Sequence, residues 1–309
     1  MYKLKTTLLS DLHKRSRLHI VGIFVFKIKK MNVSIIGLGL IGGSMSLVLK
    51  NKTQINRIIG VDRNLEHCAE ALALGLVDEI MELEEATRLA DLVIVAIPVD
   101  ATTLVLPEIL NYTDKQVVMD VGSAKTVICN AVKDHPKRNR FVASHPMWGT
   151  EFSGPSAARK EAFTNKAAVI CNREESDDDA VNLVENIYKL LGMHIVYMKA
   201  QAHDLHTAYI SHVSHITSFA LANTVLEKEK EDDKIFELAS GGFESTVRLA
   251  KSNPEMWVPI FKQNKDNVLD VLNEHISQLR KFKSCLEKDN YEYLAELIIH
   301  SNTIKRILK

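Results

Sequence analysis

The sequence predicts an α/β fold in which an N-terminal, doubly wound and mostly parallel β-sheet is followed by an all-helical C-terminal domain. From Met31 onward, short apolar runs alternate with segments of helical spacing, which is the pattern of a sheet covered by helices on both faces. One run, "ADLVIVAIP" (90–98), is continuously apolar rather than alternating, as expected for a strand buried on both sides. After Met198 such runs stop and only helical spacing continues.

Individual elements follow from the same patterns. The predicted strands are "NVSIIG", "RIIGVD", "ADLVIVAIP", "QVVMDVG", "FVASHP", "KAAVIC" and "HIVYM". "LIGGSMSLVLKN" and "NLEHCAEALALG" have helical spacing, and Gly75 is the predicted C-cap of the second helix. Beyond residue 198, three long segments have apolar faces too extensive for one small bundle, so we expect a homodimer through the helical domain.

Bulk properties exclude several classes of protein. The 309 residues leave room for two domains, and the formal net charge of zero gives no basic field for nucleic-acid binding. Four cysteines without a C-x-x-C pair indicate reduced thiols in a cytoplasmic protein. "IVGIFVF" is too short to span a membrane, and the surrounding residues 1–30 are predicted to be a disordered leader or to precede the true start.

A glycine-rich string indicates a cofactor. "GLGLIGG" places Gly37, Gly39 and Gly42 in G-x-G-x-x-G spacing between a predicted strand and a predicted helix, and Asp62 ends the next strand. This context is that of a Rossmann-like domain, in which the glycines let the chain approach a pyrophosphate at the helix N-terminus. Residues 31–198 are therefore predicted to bind a dinucleotide, and residues 199–309 to form the helical substrate and dimerisation domain.

The choice of dinucleotide depends on the end of the second strand. Asp62 is expected to accept hydrogen bonds from the ribose hydroxyls and to repel a 2′-phosphate, which favours NAD over NADP. Arg63 beside it can recruit that phosphate, so the preference stays open. A packing role for the glycines is the competing interpretation. Further predicted cofactor contacts are Leu40, Ile41, Ile97, Pro98 and Ser123.

Three motifs lie at the same predicted edge of the sheet. "VAIPV" (95–99), "DVGSAK" (120–125) and "FVASHP" (141–146) all end strands, and ligands bind at the carboxyl ends of the strands in open α/β sheets. His145 is therefore expected to face the nicotinamide end of the cleft, with Pro146 ending its strand. The competing interpretation is a histidine that only caps a loop.

The motifs together resemble the prephenate dehydrogenase family and the related arogenate dehydrogenases. The resemblance extends from Met31 to about Ile276 and rests on "GLGLIGGS", "DVGSAK", "SHPMWGTEFSG", "SHVSH" and "GGFESTVRLAKSNPEMW", in that order. It implies an NAD-dependent enzyme of tyrosine biosynthesis that converts prephenate, with loss of carbon dioxide, to 4-hydroxyphenylpyruvate.

The resemblance also implies roles for single residues. His145 would accept a hydrogen bond from the substrate's 4-hydroxyl, a task that suits a neutral imidazole. Ser123 would bond the same hydroxyl or orient the histidine. Arg248 would bind a substrate carboxylate through its planar fork. His212 and His215 would lie at the cleft mouth, with His215 contacting the substrate.

Two further residues, Glu151 and Trp257, match family positions that gate the site, although Trp257 is nearly as well explained as a core anchor of the helical domain. The sequence departs from the family at two positions. Ser245 stands where an aspartate is common, which questions an ionic gate built on that aspartate. Ser214 stands where proline is common, so the helix there is expected to be less kinked.

No metal is expected, because the reaction needs no Lewis acid, although several histidines have i, i+3 spacing: His203, His206, His212 and His215. Three rival functions stay open. Arogenate dehydrogenase differs only in the substrate side chain. A β-hydroxyacid or imine dehydrogenase would use Lys199 as general acid. A non-catalytic NAD(H)-sensing protein would keep the glycines but need neither His145 nor Arg248.

Overall fold

The computed structural model of the chain describes residues 30–229 and 237–307. The predicted leader therefore lies, except for Lys30, outside the described residues. Within these ranges, no helix is both long enough and apolar enough to cross a lipid bilayer.

The predicted sheet is present and mostly parallel. Within the described residues its strands are β1 (Met31–Ile36), β2 (Ile55–Val61), β3 (Glu79–Ile80), β4 (Leu92–Val95), β5 (Val117–Asp120), β6 (Phe141–Pro146), β7 (Ala167–Cys171) and β8 (His194–Met198). They form one sheet in the order β3-β2-β1-β4-β5-β6-β7-β8, and only β6 and β7 are antiparallel. The two-residue strand β3 was not predicted, because two residues carry no periodic pattern.

α-Helices connect most of the strands and follow the last one. They are α1 (Leu40–Leu49), α2 (Leu65–Ala73), α3 (Leu83–Leu89), α4 (Val99–Tyr112), α5 (Thr126–Ala131), α6 (Asp178–Leu190), α7 (Ala200–Thr207), α8 (Val213–Glu229), α9 (Gly241–Val247), α10 (Pro254–Gln263), α11 (Lys265–Glu287) and α12 (Tyr291–Ser301). No described strand follows Met198. The prediction of a doubly wound sheet followed by a helical region is confirmed.

The continuous apolar run of β4 is buried on both faces. Leu92 and Ile94 belong to one core cluster, and Val93 and Val95 to the other, and all four side chains are 0% exposed. Because successive side chains of a strand point to opposite faces, one short strand anchors both layers of helices. The second cluster also contains Trp257 of α10, so the helical region packs directly on the sheet.

The described residues from Met31 onward form one compact unit. The boundary at residue 198 stays a prediction, which coincides with the end of β8 at Met198 and the start of α7 at Ala200.

The turn from β1 to α1 requires glycine. Gly37 has a φ of +96°, and a Cβ at that position would lie 2.4 Å from the carbonyl oxygen of Ala96 at the end of β4. A Cβ at Gly42 would lie 2.0 Å from the carbonyl oxygen of Gly37. The glycine spacing thus lets the first turn cross closely over the neighbouring strand. Gly75 follows α2 with a φ of +66°, as the C-cap prediction requires.

We expect Gly37→Ala to destabilise the fold by about 3 kcal/mol or more, because an unfavourable φ adds to a backbone clash. Gly75→Ala is the matched control, since it has a positive φ but no atom within 4 Å of a built Cβ. Gly75→Ala is expected to lower the free energy of unfolding by about 1 kcal/mol. Urea unfolding of both variants measures the two values, and equal losses would contradict the crowding at Gly37.

Candidate active site

The glycine loop, residues 37–42, has the geometry of a pyrophosphate site. Gly39 is the N-cap of α1, where no side chain caps the helix amides. A Cβ at Gly39 would meet no protein atom within 4 Å, so the loop leaves room for a ligand beside those amides. Free N–H groups at a helix N-terminus bind anions, and the residues present therefore fit a dinucleotide.

Asp62 follows β2 and fixes the position of this loop. Its carboxylate accepts hydrogen bonds from the amides of Leu38 at 2.8 Å and Asn64 at 2.9 Å. Arg63 is exposed beside it, and Nδ1 of His67 lies 3.6 Å from the Asp62 carboxylate. His67 was not predicted as a site residue, and the first turn of α2 brings it back to the aspartate.

The other predicted cofactor residues line the same edge but differ in exposure. Leu40 is buried, so it offers a ligand its backbone amide rather than its side chain. Ile41 and Ile97 are partly buried, and Pro98 is exposed at the N-cap of α4.

His145 lies where β6 runs past the end of β5. Only Phe141 and Val142 pair with β5, whereas Ala143 to Pro146 pair with antiparallel β7. The strand ends at Pro146, as predicted. His145 is thereby held at the carboxyl edge of the sheet, and its ring is partly buried.

A hydrogen-bonded chain supports the ring of His145. Its Nδ1 lies 2.8 Å from Nε2 of His203, and Nδ1 of His203 lies 2.8 Å from the carboxylate of Asp204. The same carboxylate accepts the amides of Lys125 at 2.7 Å and Thr126 at 2.8 Å, where α5 begins. The helical region thus contributes directly to the sheet edge.

Burial sets the charge state of the two rings. It lowers the pKa of His145 well below its usual range, and the neighbouring His203, Lys125 and His212 act in the same direction. Burial also lowers the pKa of His203, although the hydrogen bond to Asp204 opposes this effect. Both imidazoles are therefore neutral near pH 7.

A buried ion pair lies next to this chain. Lys125 and Asp120 are both 0% exposed, and their side chains bond each other. The ammonium group of Lys125 also donates to the carbonyl of Ser144 at 2.7 Å, and Asp120 accepts the amide of the same residue at 3.1 Å. Because both charged groups also form hydrogen bonds with the backbone of Ser144, the ion pair holds the end of β5 against β6.

Ser123 follows β5 and is partly buried. Its hydroxyl bonds no group in the described ranges, and His145 is bonded to His203 instead. The predicted role in orienting the histidine therefore has no hydrogen bond to support it, and the hydroxyl stays available to a ligand.

His212 and His215 form an aromatic cluster with Trp257. The ring of His215 stacks on Trp257 at a centroid distance of 3.5 Å, and His212 meets the same indole edge-on at 5.9 Å. His212 is buried and bonds Asn264 at 3.2 Å, and burial lowers its pKa to about 4. It therefore lies inside the fold rather than at the cleft mouth.

The backbone near these histidines is not a regular α-helix. Residues Ala208–His212 form a π-helical turn between α7 and α8, even though Ser214 replaces a proline. The wider turn places His212 against Asn264. Trp257 is 6% exposed and lies in the core, yet its indole N–H has no partner among the described residues.

Arg248 and Glu151 form an ion pair across the site. Nη1 of Arg248 lies 2.9 Å from the carboxylate of Glu151, and their side chains are 51% and 14% exposed. The backbone amide of Glu151 and the charge of Arg248 keep the pKa of that carboxyl below its usual value. Ser245 instead donates to the carbonyl of Gly242 in its own helix at 3.0 Å, so it takes no part in this pair.

His203 and Asp204 were not predicted as site residues. His203 was considered only as a metal ligand, because its spacing to His145 carries no local signal. Across the described part of the chain, no cluster of three or more histidine, cysteine or acidic side chains has metal-binding geometry. Lys199 is exposed and paired with Glu174, at the N-cap of α7.

Comparisons with known proteins identify the family of the chain. Residues 45–197 match the family "Prephenate dehydrogenase, nucleotide-binding domain", and residues 199–300 match "Prephenate dehydrogenase, dimerization domain". The chain is 34% identical over 269 residues to a prephenate dehydrogenase of Bacillus subtilis (strain 168), an alignment that covers 86% of this chain and 72% of the relative.

Two solved structures are also similar. Prephenate dehydrogenase from A. aeolicus in complex with hydroxyphenyl propionate and NAD+ has a TM-score of 0.79 and 28% identity, over 91% of this chain and 99% of that one. Synechocystis arogenate dehydrogenase has a TM-score of 0.73 and 26% identity, over 90% and 100% of the two chains. The chain therefore belongs to the prephenate dehydrogenase family.

Proposed function

We propose that this protein is an NAD-dependent dehydrogenase that converts prephenate to 4-hydroxyphenylpyruvate and carbon dioxide. The observation that carries the proposal is a neutral, partly buried histidine, His145, at the same sheet edge as the glycine loop. Such a ring can accept a hydrogen bond from a substrate hydroxyl near pH 7. Family membership supplies the substrate class.

The site residues divide the reaction between them. NAD, when bound, supplies the hydride acceptor. His145 accepts the hydrogen bond of the 4-hydroxyl while its oxygen gains carbonyl character, and Ser123 is available to the same oxygen. The carboxylate on the ring leaves as carbon dioxide, and its bonding electrons complete the aromatic ring. The phenol of the product keeps the hydroxyl proton, so His145 need only hold that proton during the reaction.

Arg248 is proposed to bind a carboxylate of the substrate. Its guanidinium already pairs with a carboxylate, that of Glu151, and it is half exposed. A substrate carboxylate can take the place of Glu151 and use the same fork geometry. Glu151 then acts as the rim residue that holds the arginine when no substrate is bound. His215 and Trp257 are proposed to complete the substrate-binding wall.

The preference for NAD rests on Asp62. Its carboxylate is fixed by two backbone amides at the end of β2, where an adenosine ribose binds in this fold. A negative charge at this position disfavours the 2′-phosphate of NADP. Arg63 is exposed and paired with no described residue, so it is the element that can weaken this preference.

Arogenate is the second candidate substrate, because the chain is also similar to Synechocystis arogenate dehydrogenase. A hydroxyacid or imine dehydrogenase has less support, since Lys199, the general acid that it would need, is paired with Glu174 at the surface. A protein that only senses NAD(H) has less support as well, because it would need neither His145 nor Arg248.

We also propose a homodimer assembled through the C-terminal helices. Residues 199–300 match a dimerization domain. Large apolar side chains of α11 and α12 are exposed in the single chain, among them Leu279, Leu286, Ile298 and Ile299. Burying such a surface between two copies is favourable. The four cysteines are unpaired and buried, which supports the expectation of a cytoplasmic protein.

The direct test is formation of NADH from NAD with prephenate and, in parallel, with arogenate, repeated with NADP. We expect turnover with prephenate and NAD. His145→Asn should lower kcat by about 100-fold or more, because an amide is a much weaker base than the imidazole and its shorter side chain does not place an acceptor at the position of Nε2, and leave the Kd for NAD within about twofold. Absence of turnover with both substrates would overturn the proposal, and unchanged kcat in the variant would overturn the role of His145.

Arg248→Ala should raise KM for prephenate by about 30-fold or more, which corresponds to the loss of roughly 2 kcal/mol from a charge-assisted pair. Arg248→Lys should restore only part of the affinity for prephenate, because an ammonium group cannot form the two parallel hydrogen bonds of a guanidinium. Lys251→Ala is the control, since it removes a nearby exposed charge that is not bonded to Glu151. An equal effect of the Lys251 variant would show that general charge, rather than Arg248, binds the substrate.

The pH dependence of kcat/KM should report the lowered pKa of His145. The ring must be neutral to accept the hydroxyl, and its folded-state pKa lies well below 6.5. Activity should therefore be constant from pH 6.5 to about pH 8 and fall only below pH 6.5, as the ring becomes protonated. An acid limb centred at or above pH 6.5 would contradict this pKa.

A further inference from the structure

Two buried residues of α7 have no role in the proposed reaction, yet they connect His145 to the backbone of α5. His203 is 1% exposed and Asp204 is 2% exposed. Each makes a contact of 2.8 Å in the chain that joins the Asp204 carboxylate, His203 and Nδ1 of His145. Hydrogen-bond donors must alternate with acceptors along such a chain, so its fixed end determines the proton positions.

The fixed end is the carboxylate of Asp204. Burial alone would raise its pKa, but hydrogen bonds from His203, Thr126 and Lys125 outweigh burial and hold the pKa below its usual value. An ionised carboxylate has no proton to donate. Nδ1 of His203 must therefore carry a proton and donate it to Asp204.

The rest of the assignment follows from charge. A neutral imidazole has one N–H, and His203 is neutral because burial lowers its pKa. Its Nε2 is therefore unprotonated and accepts a hydrogen bond from Nδ1–H of His145. His145 is neutral as well, so its own Nε2 is also bare. Within the described ranges, no protein group bonds that atom.

We infer that His203 and Asp204 are positioning residues that hold His145 in the tautomer whose Nε2 lacks a proton. This inference rests on the proposed function, in which His145 accepts a hydrogen bond from the substrate hydroxyl. The opposite tautomer would present an N–H donor at Nε2 and leave the hydroxyl without an acceptor. Both residues act through the ring of His145, because both are almost fully buried behind it.

The charged groups around the rings favour the same arrangement. Lys125 and His212 are the other titratable groups that act on His145, and both disfavour a second proton on it. Lys125 acts on His203 in the same sense, while Asp120 and Asp204 oppose it. The positive charge of Lys125 is buried beside the chain, which discourages a doubly protonated imidazole that would reverse the donor order.

A structural role alone makes a different prediction from a positioning role. If Asp204 and His203 only joined α7 to α5, then removing the His203 ring nitrogens would lower stability but leave the tautomer of His145 unchanged. A positioning role requires that the proton on His145 becomes redistributed between its two nitrogens and that kcat falls while substrate binding is retained.

The test combines ¹⁵N-histidine NMR of the full-length protein with steady-state kinetics. In the wild type, with and without NAD, we expect His145 to be protonated at Nδ1 and bare at Nε2, with its signals assigned by their loss in His145→Asn. His203→Phe keeps a ring but no hydrogen bond. It should give a mixed His145 tautomer and lower kcat with prephenate by about 100-fold, with KM and the Kd for NAD changed less than about threefold.

Two further variants make the result specific. His206→Phe alters an exposed histidine of the same helix and should leave both the tautomer and kcat unchanged. His203→Gln, whose side-chain oxygen can accept from His145, should recover part of the lost kcat.

A proton on Nε2 of His145 in the wild type would overturn the inference, and so would His203→Phe with wild-type kcat. If His203→Phe does not fold, the wild-type tautomer alone decides. Absence of wild-type turnover would reject the proposed function, whereas the NMR result tests the positioning role without any turnover.

Discussion

The arrangement of the active site depends on the hydrogen bonds that the carboxylate of Asp204 accepts. This carboxylate is almost fully buried and accepts the amides of Lys125 and Thr126, while the backbone carbonyl of the same residue accepts Nδ2 of Asn264 at 2.7 Å. One residue therefore joins the end of the sheet to α7 and to the start of α11. A buried charge is costly unless its hydrogen bonds are satisfied, so these three parts of the chain are held in one arrangement.

In the proposed function, this arrangement separates the charged from the neutral parts of the substrate-binding region. The buried part contains neutral histidines beside the Lys125–Asp120 ion pair, whose charges offset each other. A substrate hydroxyl can meet an uncharged acceptor there. The rim carries Arg248, which is half exposed and already bonded to a carboxylate. A substrate with both a hydroxyl and carboxylates fits such a division, because each group meets the side chain whose charge suits it.

The sequence predicted features that arise from local pattern, and it missed those that arise from distant contacts. The strands, the glycine turn and the placement of His145 follow from apolar periodicity and from the rule that ligands bind at the carboxyl edge. The bond between His145 and His203 joins residues 58 positions apart, and the pair between Glu151 and Arg248 spans 97 positions. No periodicity encodes such contacts, and the burial of His212 against Asn264 depends likewise on a π-helical turn formed in the folded chain.

The most direct test of this account is a crystal structure of the protein with NAD and 4-hydroxyphenylpyruvate, because it shows whether the glycine loop, His145 and Arg248 serve one cleft. The account predicts the pyrophosphate at the N-terminus of α1 and the phenol oxygen about 2.6–3.2 Å from Nε2 of His145. It also predicts that Arg248 binds the ligand carboxylate in place of Glu151. A phenol oxygen bound away from His145, or Arg248 still paired with Glu151, would contradict it.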